Sequence, residues 1–302
     1  MATPVVMPSP LSRLQTYASF VRLEHTLFSL PLLLAGIFSA PGPAMSARRW
    51  GLIAIAAVGA RTAAMALNRL IDRRLDALNP RTRTRELPAG RMKTAEAVAL
   101  LVASVAAYLA ACAALGPWFL QVAFVPLAVF ALYPYLKRFT PLCHLGVGAA
   151  LALAPLAGYA AAHPGLERLG PALWLAGFAL TWVSGFDIIY ATLDEESDRS
   201  HGVRSMVVWL GRARALEVSA ALHLASFACL VLAALSVVPA LALTSGGALA
   251  ALVATVLATA CLLWLEQRWA EDVNLAFFKV NVFVGLGVLA SVLMARAAGG
   301  GF

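Results

Sequence analysis

Charge is what this sequence has least of. Asp, Glu, Lys and Arg together make up 13% of its 302 residues, against about a quarter in soluble domains. A water-soluble fold of this length would lack the polar surface to cover itself. With 61% hydrophobic residues and a mean hydropathy of +0.82, most of the chain belongs in lipid. Acidic residues are scarcer than basic ones, 15 against 23, for a net charge of +8. The basic residues nevertheless sit between apolar runs and not along an exposed face with interleaved aromatics, which excludes nucleic acid as a partner. Cysteine is also sparse. Cys112, Cys143, Cys229 and Cys261 all fall inside apolar runs with no Cys-x-x-Cys pair, so neither a disulfide framework nor a metal knuckle is indicated, and they read as small buried hydrophobes. A cleavable signal peptide is not expected, because the first apolar stretch carries Arg22, Glu24 and His25 and many spans follow it.

Long apolar runs are what the chain has in abundance. Windows of about 20 residues define nine candidate helices, near 15–40, 50–75, 94–115, 117–136, 140–162, 171–193, 213–237, 240–265 and 273–297. The expected fold is all-α: a polytopic membrane bundle of nine transmembrane helices, with 1–302 forming one domain. Gly116-Pro117 separates the third helix from the fourth and Pro141 opens the fifth, whereas Pro31 and Pro155 should kink their helices. The many Ala and Gly residues in the second, third, fifth and seventh helices fit close packing in lipid and equally a cavity wall. The connections after even-numbered helices carry Arg73, Arg74, Arg81, Arg83, Arg85, Arg91, Lys93, Lys137, Arg138, Arg199, Arg204, Arg212, Arg214 and Arg268. The opposite loops carry Arg48, Arg49 and Arg168. By the positive-inside rule the even connections face the cytoplasm of a cell membrane.

Both acidic clusters fall on that side. Asn68, Asp72 and Asp76 recur every four residues at the end of the second helix, so they form one polar stripe. The end of the sixth helix places Asp187, Tyr190, Asp194 and Asp198 on one face by the same periodicity. Paired carboxylate stripes suit a hard divalent cation, since magnesium takes oxygen ligands and shares them with phosphate groups. A magnesium-bridged diphosphate is a good leaving group from an allylic carbon, and nearby arginines would hold its remaining oxygens. Acids and arginines at helix ends also serve as solvated caps, but chance capping does not repeat four-residue acid spacing on two helices facing one side.

These residues resemble the UbiA superfamily of intramembrane prenyltransferases. Asn68, Asp72 and Asp76 match its Asn-x-x-x-Asp-x-x-x-Asp motif, and Asp194 with Asp198 matches its Asp-x-x-x-Asp motif. Asp187-x-x-Tyr190-Ala191, the run Tyr133-Pro134-Tyr135-Leu136-Lys137-Arg138 and Arg22 add to the likeness, which covers nearly the whole chain. The resemblance implies nine helices around a central cavity capped by the two motifs, with Mg2+ as cofactor held by Asn68, Asp72, Asp76, Asp194 and Asp198. It implies a polyprenyl diphosphate donor and an aromatic acid acceptor. Residues 79–90 look most like the branch that prenylates 4-hydroxybenzoate or a hydroxynaphthoate in quinone biosynthesis.

On that reading Arg73, Arg81, Arg83 and Arg85 are candidates for the phosphate cradle, or for water and lipid headgroups. Tyr133, Tyr135 and Tyr190 are candidates to stabilise an allylic cation through their ring faces. Lys137, Arg138 and Arg22 are candidate partners of the acceptor carboxylate, the first two equally readable as membrane anchors. Asp187 either takes the ring proton or bonds a neighbour. Lys279 and Asn281 line a cavity or, for the lysine, snorkel. Because each buried CH₂ is worth about 0.8 kcal/mol, an isoprenoid donor stays in the bilayer, and a lateral opening between helices is expected. Two rivals remain. A cation-coupled transporter would place its acids near the midplane, and a CDP-alcohol phosphotransferase would need an Asp-Gly and Ala-Arg arrangement that this chain lacks.

Overall fold

Among the residues described by the computed structural model, 10–22, 26–238, 246–270 and 275–299, every regular element is a helix. The chain runs through α1 (Pro10–Phe20), α2 (Thr26–Phe38), α3 (Ala47–Leu78), α4 (Thr94–Leu115), α5 (Pro117–Val122) and α6 (Phe124–Leu136). It continues through α7 (Cys143–Ala162), α8 (Gly170–Ala191), α9 (Glu195–Ser200), α10 (Met206–Leu210), α11 (Arg212–Val237), α12 (Gly246–Arg268) and α13 (Leu275–Ala298). Local sequence sets several boundaries. The Ser46 hydroxyl caps α3 by accepting from the Arg49 amide. Gly116, at φ 146°, ends α4 in a conformation only glycine takes readily, and Pro117 opens α5.

Eight of these segments, α5 with α6 counted as one, are long and apolar enough to cross a bilayer. Nine were expected, and the difference lies in the first. The span anticipated over 15–40 is two helices, because α1 ends where Arg22 adopts φ 49°. The break is held from outside: Arg61 of α3 donates through Nη2 to the Arg22 carbonyl at 3.0 Å and through Nε to Thr26 Oγ1 at 2.9 Å. A guanidinium thus satisfies backbone that a continuous helix would have satisfied itself. The 13 residues of α2 rise only about 20 Å, short of the roughly 30 Å of hydrocarbon. Glu24 and His25 lie outside the described residues.

α8 is the most enclosed span, flanked by α7 and α11. Leu175, Phe178, Ala179, Trp182 and Val183 on it have no exposure at all. The Trp182 indole N–H donates to both oxygens of the buried Glu266 on α12 at 3.2 Å. His223 Nε2 of α11 lies 3.4 Å from Glu266 Oε2, and Gln267 Nε2 contacts His223 Nδ1 at 2.8 Å. α2 packs on α7 and α13. Its approach to α7 is close enough that a side chain at Gly158 would meet the Leu33 carbonyl. Near the start of α13, Lys279 is exposed and Asn281 buried.

α3, α6 and α8 end at the same end of the bundle, and α4 and α7 begin there. α1 packs against that end, with Phe20 buried among Ala66, Met92 and Ala97. At 32 residues, α3 is about 48 Å long, well over the roughly 30 Å of hydrocarbon that a span crosses.

Candidate active site

A cleft of about 230 Å³ opens at this end, walled by α3, the α3–α4 connection, the end of α6, the start of α7 and the end of α8. Asn68, Asp72 and Asp76 all face it from consecutive turns of α3, as their spacing requires. Asn68 Nδ2 donates to Asp72 Oδ2 at 3.2 Å. Asp72 is almost wholly buried, and Lys137 Nζ reaches its Oδ2 at 2.6 Å while Arg138 Nη1 lies 3.3 Å from Oδ1. Asp76 Oδ1 accepts from Arg85 Nη1 at 2.7 Å. Its buried Oδ2 makes no hydrogen bond and has Arg69 Nη1 at 4.0 Å.

The second cluster departs from its expected geometry. α8 stops at Ala191, and after a turn Asp194 stands at the head of α9, its carbonyl accepting from the Asp198 amide at 2.7 Å. Asp187 and Tyr190 therefore share one helix and Asp194 and Asp198 the next, yet all four line the cleft. The α3–α4 connection folds across to meet them. Asn79 Nδ2 and Arg81 Nε each donate to Asp194 Oδ1 at 2.8 Å, and Arg81 Nη2 pairs with Oδ2.

The electrostatics of the second cluster are uneven. Burial would raise the Asp194 carboxyl, but the Arg81 hydrogen bond and charge, with help from Asn79, hold it below the usual carboxylate range. Asp198, also raised by burial and then by the charge of Asp194, is pushed up to about 6. Arg81 is held above its ordinary value: burial opposes this, and the Asp194 pairing outweighs it.

Tyr133, Tyr190, Lys137, Arg81 and Arg85 line the cleft beside the acids. Arg73 does not: one residue past Asp72, it is turned about 100° around the helix and donates to Thr94 Oγ1 at 3.3 Å. Arg83 is exposed and outside the lining. Tyr135 is exposed beneath the Arg138 guanidinium, 5.1 Å from its ring centre. Arg138 approaches Asp72 from behind, anchored on the Pro134 and Ile71 carbonyls. Arg22 is outside the lining but within electrostatic reach of Tyr190, as Arg61 is of Tyr133. Sequence reasoning missed Asn79, Thr82, Cys143, His144 and Ser205, which also line the cleft.

The donor set suits a hard divalent cation: carboxylate and amide oxygens from two facing walls, including the hydrogen-bond-free Asp76 Oδ2. Among the described residues no three His, Cys, Asp or Glu side chains are drawn together as a metal cluster. Asp72, Asp76 and Asp194 are instead engaged by their own lysine and arginine neighbours.

Comparison with known proteins identifies the family. Residues 29–295 match the UbiA prenyltransferase family. A 4-hydroxybenzoate octaprenyltransferase of Vibrio campbellii is 27% identical over 226 residues, covering 72% of this chain and 77% of its own. The apo structure of a UbiA homologue from Aeropyrum pernix K1 superposes with a TM-score of 0.78 at 33% identity, over 89% of this chain and 97% of that one. A homologue from Archaeoglobus fulgidus, solved with bound GPP and Mg2+, shares the fold at a TM-score of 0.68 and 17% identity, over 94% and 99% of the two chains. With its acids gathered at one end of an all-helical, multi-pass membrane bundle, the chain belongs to the UbiA prenyltransferase family.

Proposed function

We propose that this protein transfers a polyprenyl group from polyprenyl diphosphate to an aromatic acid, 4-hydroxybenzoate, in a magnesium-dependent reaction. The observation that carries the reading is one cleft lined by two acid motifs and by Lys137, Arg81 and Arg85. Carboxylates alone would suit a cation pathway; carboxylates interleaved with guanidinium groups suit a metal diphosphate. Asn68, Asp72, Asp76, Asp194 and Asp198 would hold Mg2+, which when bound withdraws charge from the departing diphosphate. Lys137, Arg81 and Arg85 hold the remaining phosphate oxygens. Tyr133 and Tyr190 present ring faces to the allylic carbon and keep water from it. For the acceptor carboxylate the candidate partner is Arg22, which has Arg61 at its carbonyl and lies within electrostatic reach of Tyr190.

Topology follows from the same reading. α2 takes the chain from the cleft end to the far end, where the Ala40 carbonyl meets His163 at the close of α7. It thus makes the first of nine crossings as a short helix, and the prenyl tail occupies a cavity between the helices below the cleft. The excess of basic residues at the cleft end supports a cytoplasmic orientation.

The test is incubation of the purified protein in detergent with geranyl diphosphate, 4-hydroxybenzoate and magnesium, with an EDTA control, followed by mass spectrometry. A magnesium-dependent prenylated hydroxybenzoate is expected, and Asp72→Ala and Asp194→Ala should each abolish it while the protein stays folded. Magnesium-dependent donor binding without product would move the acceptor to naphthoates. No binding would sink the reading in favour of a transporter.

A further inference from the structure

A second pair of polar side chains faces the cleft without touching either acid motif. His144, in the first turn of α7, has its Nδ1 2.6 Å from Asp187 Oδ2 on α8. Its Nε2 lies 3.2 Å from the Met206 amide, which can only donate. That contact fixes the tautomer: Nε2 accepts, so Nδ1 carries the hydrogen and donates it to Asp187. Asp187 Oδ2 is thereby occupied, and Oδ1 remains for the cleft. The imidazole is 5% exposed while the Asp187 side chain is 32% exposed. A pair serving only to join two helices would have no need to present its carboxylate. Asp187 also lies one helical turn, about 6 Å, inside the last residue of α8, Ala191. It is therefore deeper than Asp194, below the level at which the diphosphate is held and beside Tyr133 and Tyr190.

The geometry points to Asp187 as the group that takes the ring proton released on prenylation, with His144 as its positioning residue. This rests on the aromatic-acceptor reading above. In the step, a π pair of the ring forms the new C–C bond as the allylic C–O bond breaks and its pair leaves on the diphosphate. The C–H pair at that ring carbon then returns to the ring. The proton passes to Asp187 Oδ1 and from there to water at the cleft mouth. The His144 ring keeps its Nδ1 proton throughout and holds the carboxylate in place.

The test compares Asp187→Asn, His144→Leu and His144→Asn with the unaltered protein, using 4-hydroxybenzoate and its ring-deuterated form. Loss of a positioned base lowers rates by about 10²-fold or more, so kcat of Asp187→Asn should fall on that scale with little change in KM for the donor. Proton removal then limits turnover, and a primary deuterium isotope effect absent from the unaltered enzyme should emerge. His144→Leu should show the same signature more weakly. His144→Asn, which keeps an N–H near the position of Nδ1, should recover most of it. Magnesium-dependent binding of a non-hydrolysable prenyl diphosphate analogue should be unchanged in all three. Undiminished kcat, or a fall with no isotope effect, would overturn the assignment and leave the function above standing. Failure of the unaltered protein to prenylate hydroxybenzoate would remove both.

Discussion

Gly148, one turn after His144 on α7, is where a single methyl group should do most damage to this site. A Cβ there would lie 3.1 Å from the Leu180 carbonyl carbon of α8, and nearer still to that carbonyl's oxygen and to Ser184 Oγ. Ser184 cannot simply turn away, since its hydroxyl bonds the Leu180 and His144 carbonyls at 2.6 and 3.1 Å. In Gly148→Ala the two helices must separate by about 1 Å to restore ordinary carbon contacts. Overpacking of this kind costs about 1–3 kcal/mol. The larger effect should be catalytic, because α7 carries His144 and α8 carries Asp187, and a displacement near 1 Å at reacting groups costs about 10²-fold in rate. Thermal unfolding in detergent together with kcat measures both. Gly51→Ala is the control: nothing lies within 4 Å of its added Cβ, and helix propensity alone favours alanine by up to about 1 kcal/mol. A Gly148→Ala protein with unaltered Tm and unaltered kcat would show that the close contact of α7 and α8 does not set the geometry of the site.

Arg81→Ala removes two donors from Asp194 and a candidate phosphate ligand. At about 1.5–3 kcal/mol for a charge-assisted hydrogen bond, kcat/KM for the donor should fall roughly 10- to 100-fold. Because Arg81 is 39% exposed and Asn79 still donates to Asp194, stability should change by about 1 kcal/mol or less, and an unchanged kcat/KM would remove Arg81 from the cradle. Asp198 gives a pH dependence of unusual sign. Its folded carboxyl titrates at about 6, above the unfolded value near 3.9, so between those values the folded state keeps a proton that the unfolded chain loses. Its contribution to stability therefore declines as pH rises through that window, and Asp198→Asn should flatten that component of Tm against pH in metal-free buffer. Glu266→Leu removes the acceptor that the buried Trp182 indole meets at 3.2 Å, at a cost of about 1–3 kcal/mol. Glu266→Gln keeps an acceptor oxygen and should lose less, as the two Tm values would show.

Periodicity carried the first motif completely, because Asn68, Asp72 and Asp76 lie within one unbroken helix and four-residue spacing holds along it. It also contained the answer for Arg73, whose place next to Asp72 turns it off the cleft. It failed at the second motif, where a turn after Ala191 interrupts the helix and returns Asp194 and Asp198 to the same cleft by another route. Asn79 and Arg81 were invisible as a clamp on Asp194, since that contact closes more than a hundred residues of chain and no local pattern encodes it. His144 was passed over because a single histidine among apolar residues has no period. The break at Arg22 escaped for a related reason: apolar windows sum side chains, and this one is made by a backbone turn and a guanidinium from another helix. Fold class and the identity of the acid motifs were thus legible, and the partners that orient them were not.

For the reactants of the proposed transfer, the short α2 would change how thick the membrane is. Its first residue is tied to Arg61, which lies seven residues, or about 10 Å, before Asn68 along α3. On that side the helix leaves the outermost part of the slab to the ends of its neighbours and to α1. On the function proposed above, a small polar acid entering there would descend only as far as the step, where Arg22 and Arg61 stand. An isoprenoid, for its part, need not rise out of the hydrocarbon. On that reading, shortening a single helix would bring two compounds of opposite solubility to one depth.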